Sequence, residues 1–305
     1  MSDHVAVYST EALPPKALEE LEGFEVLEGQ ADDDALARCQ ALICWPHRVP
    51  PGLIGRMKGL RMVQAMSAGV DSFDFSSLPP GVRLFSNAGA FTESVGEHAW
   101  GLLLGVAKGV HIRNKRSTPR RLRGKTLLVV GAGAIGSETA RLGKSLGMRT
   151  IGVSRSFRRP EAFDETAPLS SLGDKAKEAD AIVMALPLTK STRGVVTYDL
   201  LMTTKESVII VNVGRGDSVN EEGLLRWLRE RPESRFATDV FWTKGGRESF
   251  DTAAWELPNF AGTLHNSGGP LGEDLSELKA AAAANVKRFF ETGSARNLVD
   301  PSEYI

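Results

Sequence analysis

Cysteine is nearly absent: Cys39 and Cys44 are the only two in 305 residues. Their spacing is no metal-ligand pattern, and two small packing residues are a simpler reading than a disulfide. So little cysteine fits a reducing compartment. Long apolar runs are missing too. None approaches the ~20 residues of a transmembrane helix, and the start, Met-Ser-Asp-His-Val, has no basic-then-apolar signal. The expectation is a cytoplasmic protein with no membrane partner. Charge of one sign is also lacking. Lys and Arg number 37 against 38 Asp and Glu, for a formal net charge of −1, so no bulk field favours nucleic acid or an anionic surface. No repeat of fixed period and no low-complexity tract stands out. What remains is 42% hydrophobic and 25% charged, enough apolar material for two cores at a length suited to about two domains.

One stretch organises the chain. An apolar run, Thr126 to Val130, reads as a buried strand and feeds directly into Gly131-x-Gly133-x-x-Gly136. Ser137 to Leu146 is helix-like, Gly147 sits where a C-terminal glycine belongs, and Thr150 to Val153 is a second strand. This strand, glycine turn, helix and strand form a dinucleotide-binding unit. Gly131 permits the tight turn, Gly133 lets backbone approach a pyrophosphate, and Gly136 lets the helix pack close to the strand. The helix N-terminus points its unpaired N–H groups and a partial positive charge at the phosphates.

Before this unit, strand signals (His4–Tyr8, Phe24–Leu27, Ala41–Trp45, Arg61–Met66, Val82–Phe85) alternate with helical ones (from Pro14-Pro15, Asp33–Cys39, Pro51–Leu60). After it come the third to sixth strands of the second domain, at Ala181–Leu186, Val208–Val213, Arg235–Val240 and Phe260–Leu264, with a helix over Asn220–Glu230 that Asn220 caps. Thr92–Val110 reads as a long helix capped by Thr92. Leu271–Phe290 reads as an alanine-rich helix returning to the first domain. The fold class is α/β: two doubly wound parallel-sheet domains, the second a Rossmann dinucleotide-binding domain inserted in the first. Residues 1–91 and 273–305 form the substrate domain, and residues 92–272 the dinucleotide domain.

Ligands of such sheets bind beyond the carboxyl ends of the strands. The polar residues there are Ser67 with Ala68-Gly69, Ser154-Arg155-Ser156, Pro187 to Thr192, Asn212 with Arg215, Asp239, and His265 with Asn266. A guanidinium holds a carboxylate with two hydrogen bonds, and an imidazole exchanges a hydroxyl proton near neutral pH. Arg215 with His265 therefore suits hydride transfer on a small hydroxy acid.

The motifs Ala68-Gly-Val-Asp71, Val95-Gly-Glu-His98, Gly131–Gly136, Leu186-Pro-Leu-Thr189, Asn212-Val-Gly-Arg-Gly216, Asp239-Val-Phe241 and Thr263-Leu-His265 stand in one order. Together they resemble the D-isomer-specific 2-hydroxyacid dehydrogenases over nearly the whole chain. The resemblance implies that Arg215 binds carboxylate and carbonyl, that His265 is the acid/base, and that Asp239 touches the nicotinamide carboxamide. It also implies that Ser67, Ala68, Gly69 and Val70 offer backbone N–H groups to the substrate carboxylate. The cofactor would lie along Gly131, Gly133, Ala134, Ile135, Gly136, Ser154, Arg155, Ser156, Leu186, Pro187, Thr192, Val213, Gly214, Arg215, Asp239, His265 and Gly268. A homodimer is the family expectation. Leu264 stands where the family has proline. The family's glutamate partner of the histidine, about five residues past the aspartate, is here Lys244. Either the loop is rebuilt so that Glu248 reaches His265, or His265 works without a partner, as the glutamate-free formate dehydrogenases do.

An acidic residue normally meets the ribose 2′-hydroxyl of NAD about 20 residues past the glycines. Here that place holds Ser154-Arg155-Ser156, with Arg158 and Arg159 beyond, which suits a 2′-phosphate and favours NADP over NAD. The leading reading is an NADP-dependent 2-ketoacid reductase of the glyoxylate/hydroxypyruvate type. The alternatives are a nucleotide-sensing regulatory protein, like the related corepressors, which Lys244 keeps open, and a formate-type dehydrogenase, against which the basic turn argues. Glu97 and His98 are expected to fix the long helix. The basic run Arg113, Lys115, Arg116, Arg120, Arg121 and Arg123 is a solvated loop or, on a sharper reading, adds positive potential at the cofactor. His47 lines the substrate pocket or a plain loop. Trp242 and Trp255 are packing residues or, less simply, pocket walls.

Overall fold

The structure, a computed structural model, describes residues 5–112, 118–269 and 275–304. Arg113, Lys115, Arg116, His4 and the start of the expected Leu271–Phe290 helix lie outside the described residues. The chain divides into two compact units, Met1–Ala90 with Gly272–Ile305, and Phe91–Leu271. Phe91, assigned to the first domain from the sequence, thus opens the second unit.

The first unit carries β1 (Ala6–Ser9), α1 (Pro15–Glu20), β2 (Glu25–Glu28), α2 (Asp33–Arg38), β3 (Ala41–Cys44), α3 (Leu53–Arg56), β4 (Met62–Ala65) and β5 (Arg83–Phe85). The strands form one parallel sheet in the order β2-β1-β3-β4-β5. Pro51–Leu60 was expected to be helical throughout, but α3 is one turn. Gly52 enters it at φ +78, and Gly59 leaves so close to α2 that a Cβ would lie 3.1 Å from the Ala37 carbonyl oxygen. Both cysteines are buried and free, and burial pushes the Cys44 thiol up to about 12. His47 is exposed and accepts from Arg48 Nε at 3.2 Å. Partial burial, and then the Arg48 charge, hold it below the ordinary histidine pKa.

In the second unit come α4 (Thr92–Lys108), β6 (Thr126–Val130), α5 (Ala134–Ser145), β7 (Arg149–Val153), β8 (Glu165–Ala167), α6 (Leu172–Glu178), β9 (Ala181–Met184), α7 (Tyr198–Thr203) and β10 (Ile209–Asn212). They are followed by α8 (Glu221–Glu230), β11 (Arg235–Thr238), β12 (Trp242–Lys244), β13 (Arg247–Ser249) and β14 (Phe260–Gly262). The first unit is completed by α9 (Ser276–Thr292). The large sheet is parallel, ordered β14-β11-β10-β9-β6-β7-β8. This is the doubly wound order with its switch point between β6 and β9. Its central strands β6, β9 and β10 read as nearly unbroken apolar runs because both faces are covered. Leu128 and Val130 face one core with Trp227 and Phe236, and Leu127 and Val129 face the other with Trp100 and Leu103.

Three sequence expectations are corrected here. Thr92 does not cap α4; the N-cap is Phe91, with no side-chain cap bond. The helix after the glycine turn begins at Ala134, with Gly133 as its N-cap. The short polar edge strand β8 precedes β9, which is therefore the fourth strand of its sheet in chain order. Arg120 is also placed. Its guanidinium donates to the carbonyls of Ser207, at 2.5 Å, and Glu233, just before the amino ends of β10 and β11. That is the end of the sheet opposite the glycine turn, so Arg120 anchors chain rather than adding charge at a cofactor.

Candidate active site

The site is built on the loops that leave the carboxyl ends of the large sheet. At the first, the glycines do separate work. Gly131 has φ +99, and a Cβ there would lie 2.7 Å from the carbonyl oxygen of Ala185, just past the end of the neighbouring strand β9. At Gly136 a Cβ would fall 1.9 Å from the Gly131 oxygen. Gly133 has nothing within 4 Å of its Cβ position, and α5 begins there with no side-chain cap. Its first-turn N–H groups therefore face open space, a fit for pyrophosphate. Gly136→Ala is expected to cost about 3 kcal/mol or more by overpacking, a fall in Tm of roughly 5–10 °C in a melting curve. Gly133→Ala should melt like wild type and lose dinucleotide affinity in a fluorescence titration. Below the turn, Glu138 pairs with Arg141 at 2.5 and 2.9 Å, and that guanidinium holds its carboxyl below the usual range.

At the end of β7, Ser154 Oγ accepts from Ser156 N–H at 3.4 Å, and Arg155 is exposed. The Arg158 N–H donates to the Ala132 carbonyl at 3.2 Å, which ties this basic turn to the glycine turn. After β9, Leu186 is buried and Pro187 exposed. Thr192 points inward. Its hydroxyl donates to the Pro187 carbonyl at 2.6 Å and accepts from Thr189 N–H at 2.8 Å, so it shapes this loop.

After β10, Asn212 is buried and builds the arginine loop. Its Nδ2 donates to the Arg215 carbonyl at 2.9 Å and its Oδ1 accepts from Gly214 N–H at 3.0 Å. Val213 is in the core. Both flanking glycines are forced by close approach. A Cβ on Gly214 would lie 2.5 Å from the Leu186 oxygen, and one on Gly216 would lie 2.1 Å from the Phe241 carbonyl. Arg215 between them is half-buried, its Nη1 donating to the Gly214 carbonyl at 2.8 Å.

The segment after β11 decides the fate of the histidine. Trp242 pairs with Ser249, Thr243 with Glu248 and Lys244 with Arg247, around a two-residue turn, Gly245-Gly246, at φ +61 and +80. Side chains alternate across a hairpin, so Lys244 and Trp242 share one face and Glu248 the other. Trp242 Nε1 donates to the Val219 carbonyl at 2.7 Å, and Lys244 Nζ reaches Glu221 at 3.1 Å. Glu248 turns the opposite way. Its Oε2 lies 2.5 Å from His265 Nδ1, and its Oε1 accepts from Phe241 N–H at 2.6 Å. The loop is therefore rebuilt: a carboxylate meets the histidine from β13 instead of from position 244. The Gly-Gly turn between Trp-Thr-Lys and Arg-Glu-Ser is the sequence signal that could have revealed the hairpin.

His265 has φ +50, an uncommon backbone conformation for a side-chain-bearing residue. Its N–H donates to the Asp239 carbonyl at 2.8 Å. The Asp239 side chain is fully buried. Its carboxylate accepts from Thr263 Oγ1 at 2.6 Å, from Asn266 N–H at 3.1 Å and from Ser267 N–H at 3.1 Å. Sequence reasoning gave Asp239 a cofactor contact and missed this loop-holding role. Gly268 faces the Phe91 ring, 3.2 Å from its Cβ position. Trp255 is partly exposed and stacks on Phe241 at 5.4 Å, a packing contact as expected.

In the first unit, Ser67 Oγ donates to the Gly69 carbonyl at 2.6 Å, and the Val70 side chain is in the core. Among the described residues, the N–H groups of Ser67, Ala68, Gly69 and Val70 meet no acceptor. No helix among the described residues is long and apolar enough to cross a membrane.

Comparison with known proteins agrees with this geometry. The family profile described as D-isomer specific 2-hydroxyacid dehydrogenase, NAD binding domain, matches residues 82–267. A glyoxylate reductase of Aeropyrum pernix is 34% identical over 212 residues, 64% of this chain and 63% of that protein. A glyoxylate reductase of Thermococcus kodakarensis is 30% identical over 269 residues, 77% of this chain and 79% of that protein. A solved structure from Pyrobaculum aerophilum, provisionally assigned as a formate dehydrogenase, superposes with a TM-score of 0.85 at 31% identity. That superposition covers 98% of this chain and 99% of that one. With its doubly wound dinucleotide unit and its arginine and histidine loops, the chain belongs to the D-isomer specific 2-hydroxyacid dehydrogenase family.

Proposed function

We propose that this protein reduces a small 2-keto acid, of the glyoxylate or hydroxypyruvate kind, with NADPH. When bound, the nicotinamide supplies the hydride. The chain supplies the rest. Arg215 holds the substrate carboxylate and polarises the carbonyl, and His265 gives its proton to the oxygen as the carbon becomes tetrahedral. Glu248 holds the imidazole by Nδ1, which leaves Nε2 for the substrate. The N–H groups of Ser67 to Val70 bind the carboxylate. The open first turn of α5 takes the pyrophosphate, and Ser154, Arg155 and Ser156 take the 2′-phosphate. The observation that carries this reading is the 2.5 Å contact between Glu248 and His265.

That contact also bears on the alternatives. A regulatory nucleotide binder drew its support from Lys244, which turns away to Glu221. A formate-type reaction does without the glutamate that here meets the histidine. We take the protein as cytoplasmic, the reading suggested by its two cysteines, and as a homodimer, an expectation carried from the family. The test is NADPH oxidation with glyoxylate, hydroxypyruvate and larger 2-keto acids, beside carbon dioxide release from formate with NADP. Turnover of at least one small 2-keto acid is expected. NADPH binding without oxidation by any of them would favour the regulatory reading instead.

A further inference from the structure

The motif Val95-Gly-Glu-His98 has no part in the chemistry so far, yet its histidine reaches the loop that carries His265. His98 Nε2 lies 2.7 Å from Thr263 Oγ1 and 3.5 Å from Asp239 Oδ1. Thr263 gives its one hydroxyl hydrogen to Asp239 Oδ1 at 2.6 Å. A hydroxyl has a single hydrogen, so at this contact Thr263 accepts and His98 donates. The hydrogen of His98 is thereby assigned to Nε2. The order runs from His98 Nε2–H to Thr263 Oγ1, and from Thr263 Oγ1–H to Asp239. The same carboxylate then accepts from Asn266 and Ser267, and the Asp239 backbone carbonyl accepts from His265. One turn before His98, on the same face of α4, Ser94 Oγ donates to the Ser267 carbonyl, and Phe91 lies against Gly268. The helix grips the loop on both sides of the strained His265.

We infer that His98 is a positioning residue for the reaction, acting through Thr263 and Asp239 to hold the His265 loop in its left-handed conformation. The inference rests on the reductase reading, in which His265 must meet the substrate oxygen. Misplacement by about 1 Å at such a site lowers turnover on the order of 100-fold.

Three measurements test it on the full-length protein, with His98→Leu and His98→Gln beside wild type. In His98→Leu, kcat should fall about 100-fold with the KM for NADPH held within about twofold. In His98→Gln the amide N–H replaces the imidazole N–H, and most of the turnover should return. Hydrogen exchange of a peptide spanning residues 263–268 should quicken about tenfold in His98→Leu, as expected for one lost hydrogen bond in a chain ending on a carboxylate. It should stay near wild type in His98→Gln. Long-range proton–nitrogen spectra of the wild type should place the His98 hydrogen on Nε2. Wild-type kcat and exchange in His98→Leu would overturn the inference. So would equal losses of turnover and melting temperature in both variants, which mark a plain packing role. If wild type turns over no 2-keto acid, the reductase reading falls, and exchange with the tautomer assignment alone decide whether His98 holds the loop.

Discussion

Replacing Glu248 with alanine is expected to lower kcat for 2-keto acid reduction by roughly 10²–10³-fold, with NADPH affinity changed by no more than about twofold. The carboxylate does two jobs at once. Oε2 meets His265 Nδ1 at 2.5 Å and Oε1 accepts from Phe241 N–H at 2.6 Å, so neither rotation nor tautomer of the imidazole is left free. Buried orienting aspartates of hydrolase triads are worth about 10⁴-fold. Here the two side chains are 41% and 28% exposed, so water replaces part of what is lost, and the smaller figure follows. Glutamine at 248 separates orientation from charge. The backbone N–H of Phe241 has no alternative acceptor as good as the amide oxygen, so the amide NH₂ would face Nδ1. Nδ1 must then accept, which puts the hydrogen of neutral imidazole on Nε2 and removes the base needed to oxidise a hydroxy acid. Glu248→Gln should therefore be no better than Glu248→Ala in the oxidative direction. Adding Lys244→Glu to Glu248→Ala should rescue nothing, because position 244 lies on the other face of the hairpin. Initial rates in both directions check this, and kcat within about twofold of wild type in Glu248→Ala would remove the dyad from the mechanism.

How far the sequence reached depends on how local each feature is. The glycine turn is legible because Gly131 and Gly136 answer constraints within a few residues or beside the adjoining strand, as with Gly136 against the Gly131 oxygen. Asn220 is legible as a cap for the same reason, its Oδ1 accepting from Gly223 N–H at 2.7 Å. The edge strand β8 and the two hairpin strands are three residues long, and of the nine residues only Trp242 is buried, so no alternation is imprinted on the sequence. Glu248 was only one of two readings, since nothing short of the hairpin register says that position 248 faces the histidine and position 244 does not. The loop-holding role of Asp239 was missed for a related reason. Its partners, Thr263, Asn266 and Ser267, lie 24 to 28 residues on, and two of them act through backbone N–H groups that no side-chain pattern can announce.

The second large effect is expected at the far end of the glycine unit. Arg155→Asp should move the ratio of kcat/KM for NADPH to that for NADH about 10³-fold toward NADH. A charge-assisted bond between a guanidinium and a phosphate contributes about 2 kcal/mol. Putting a carboxylate there adds about 1 kcal/mol of repulsion against the 2′-phosphate at contact distance in water. The same carboxylate accepts from the ribose 2′-hydroxyl of NADH, for about 1 kcal/mol more. The three sum to about 4 kcal/mol, or roughly three factors of ten. The change should be read as specificity and not as damage. Arg155 is exposed, and the turn is tied by Ser156 N–H to Ser154 Oγ and by Arg158 N–H to the Ala132 carbonyl. The melting temperature and the kcat at saturating NADH should therefore stay near wild type. Arg158 and Arg159 remain as exposed cations just beyond the turn, so Arg155→Asp alone should leave measurable NADPH use, and adding Arg158→Glu should lower it further. A wild-type enzyme that prefers NADH, or an Arg155→Asp variant that keeps its NADPH preference, would move the choice of cofactor away from this turn.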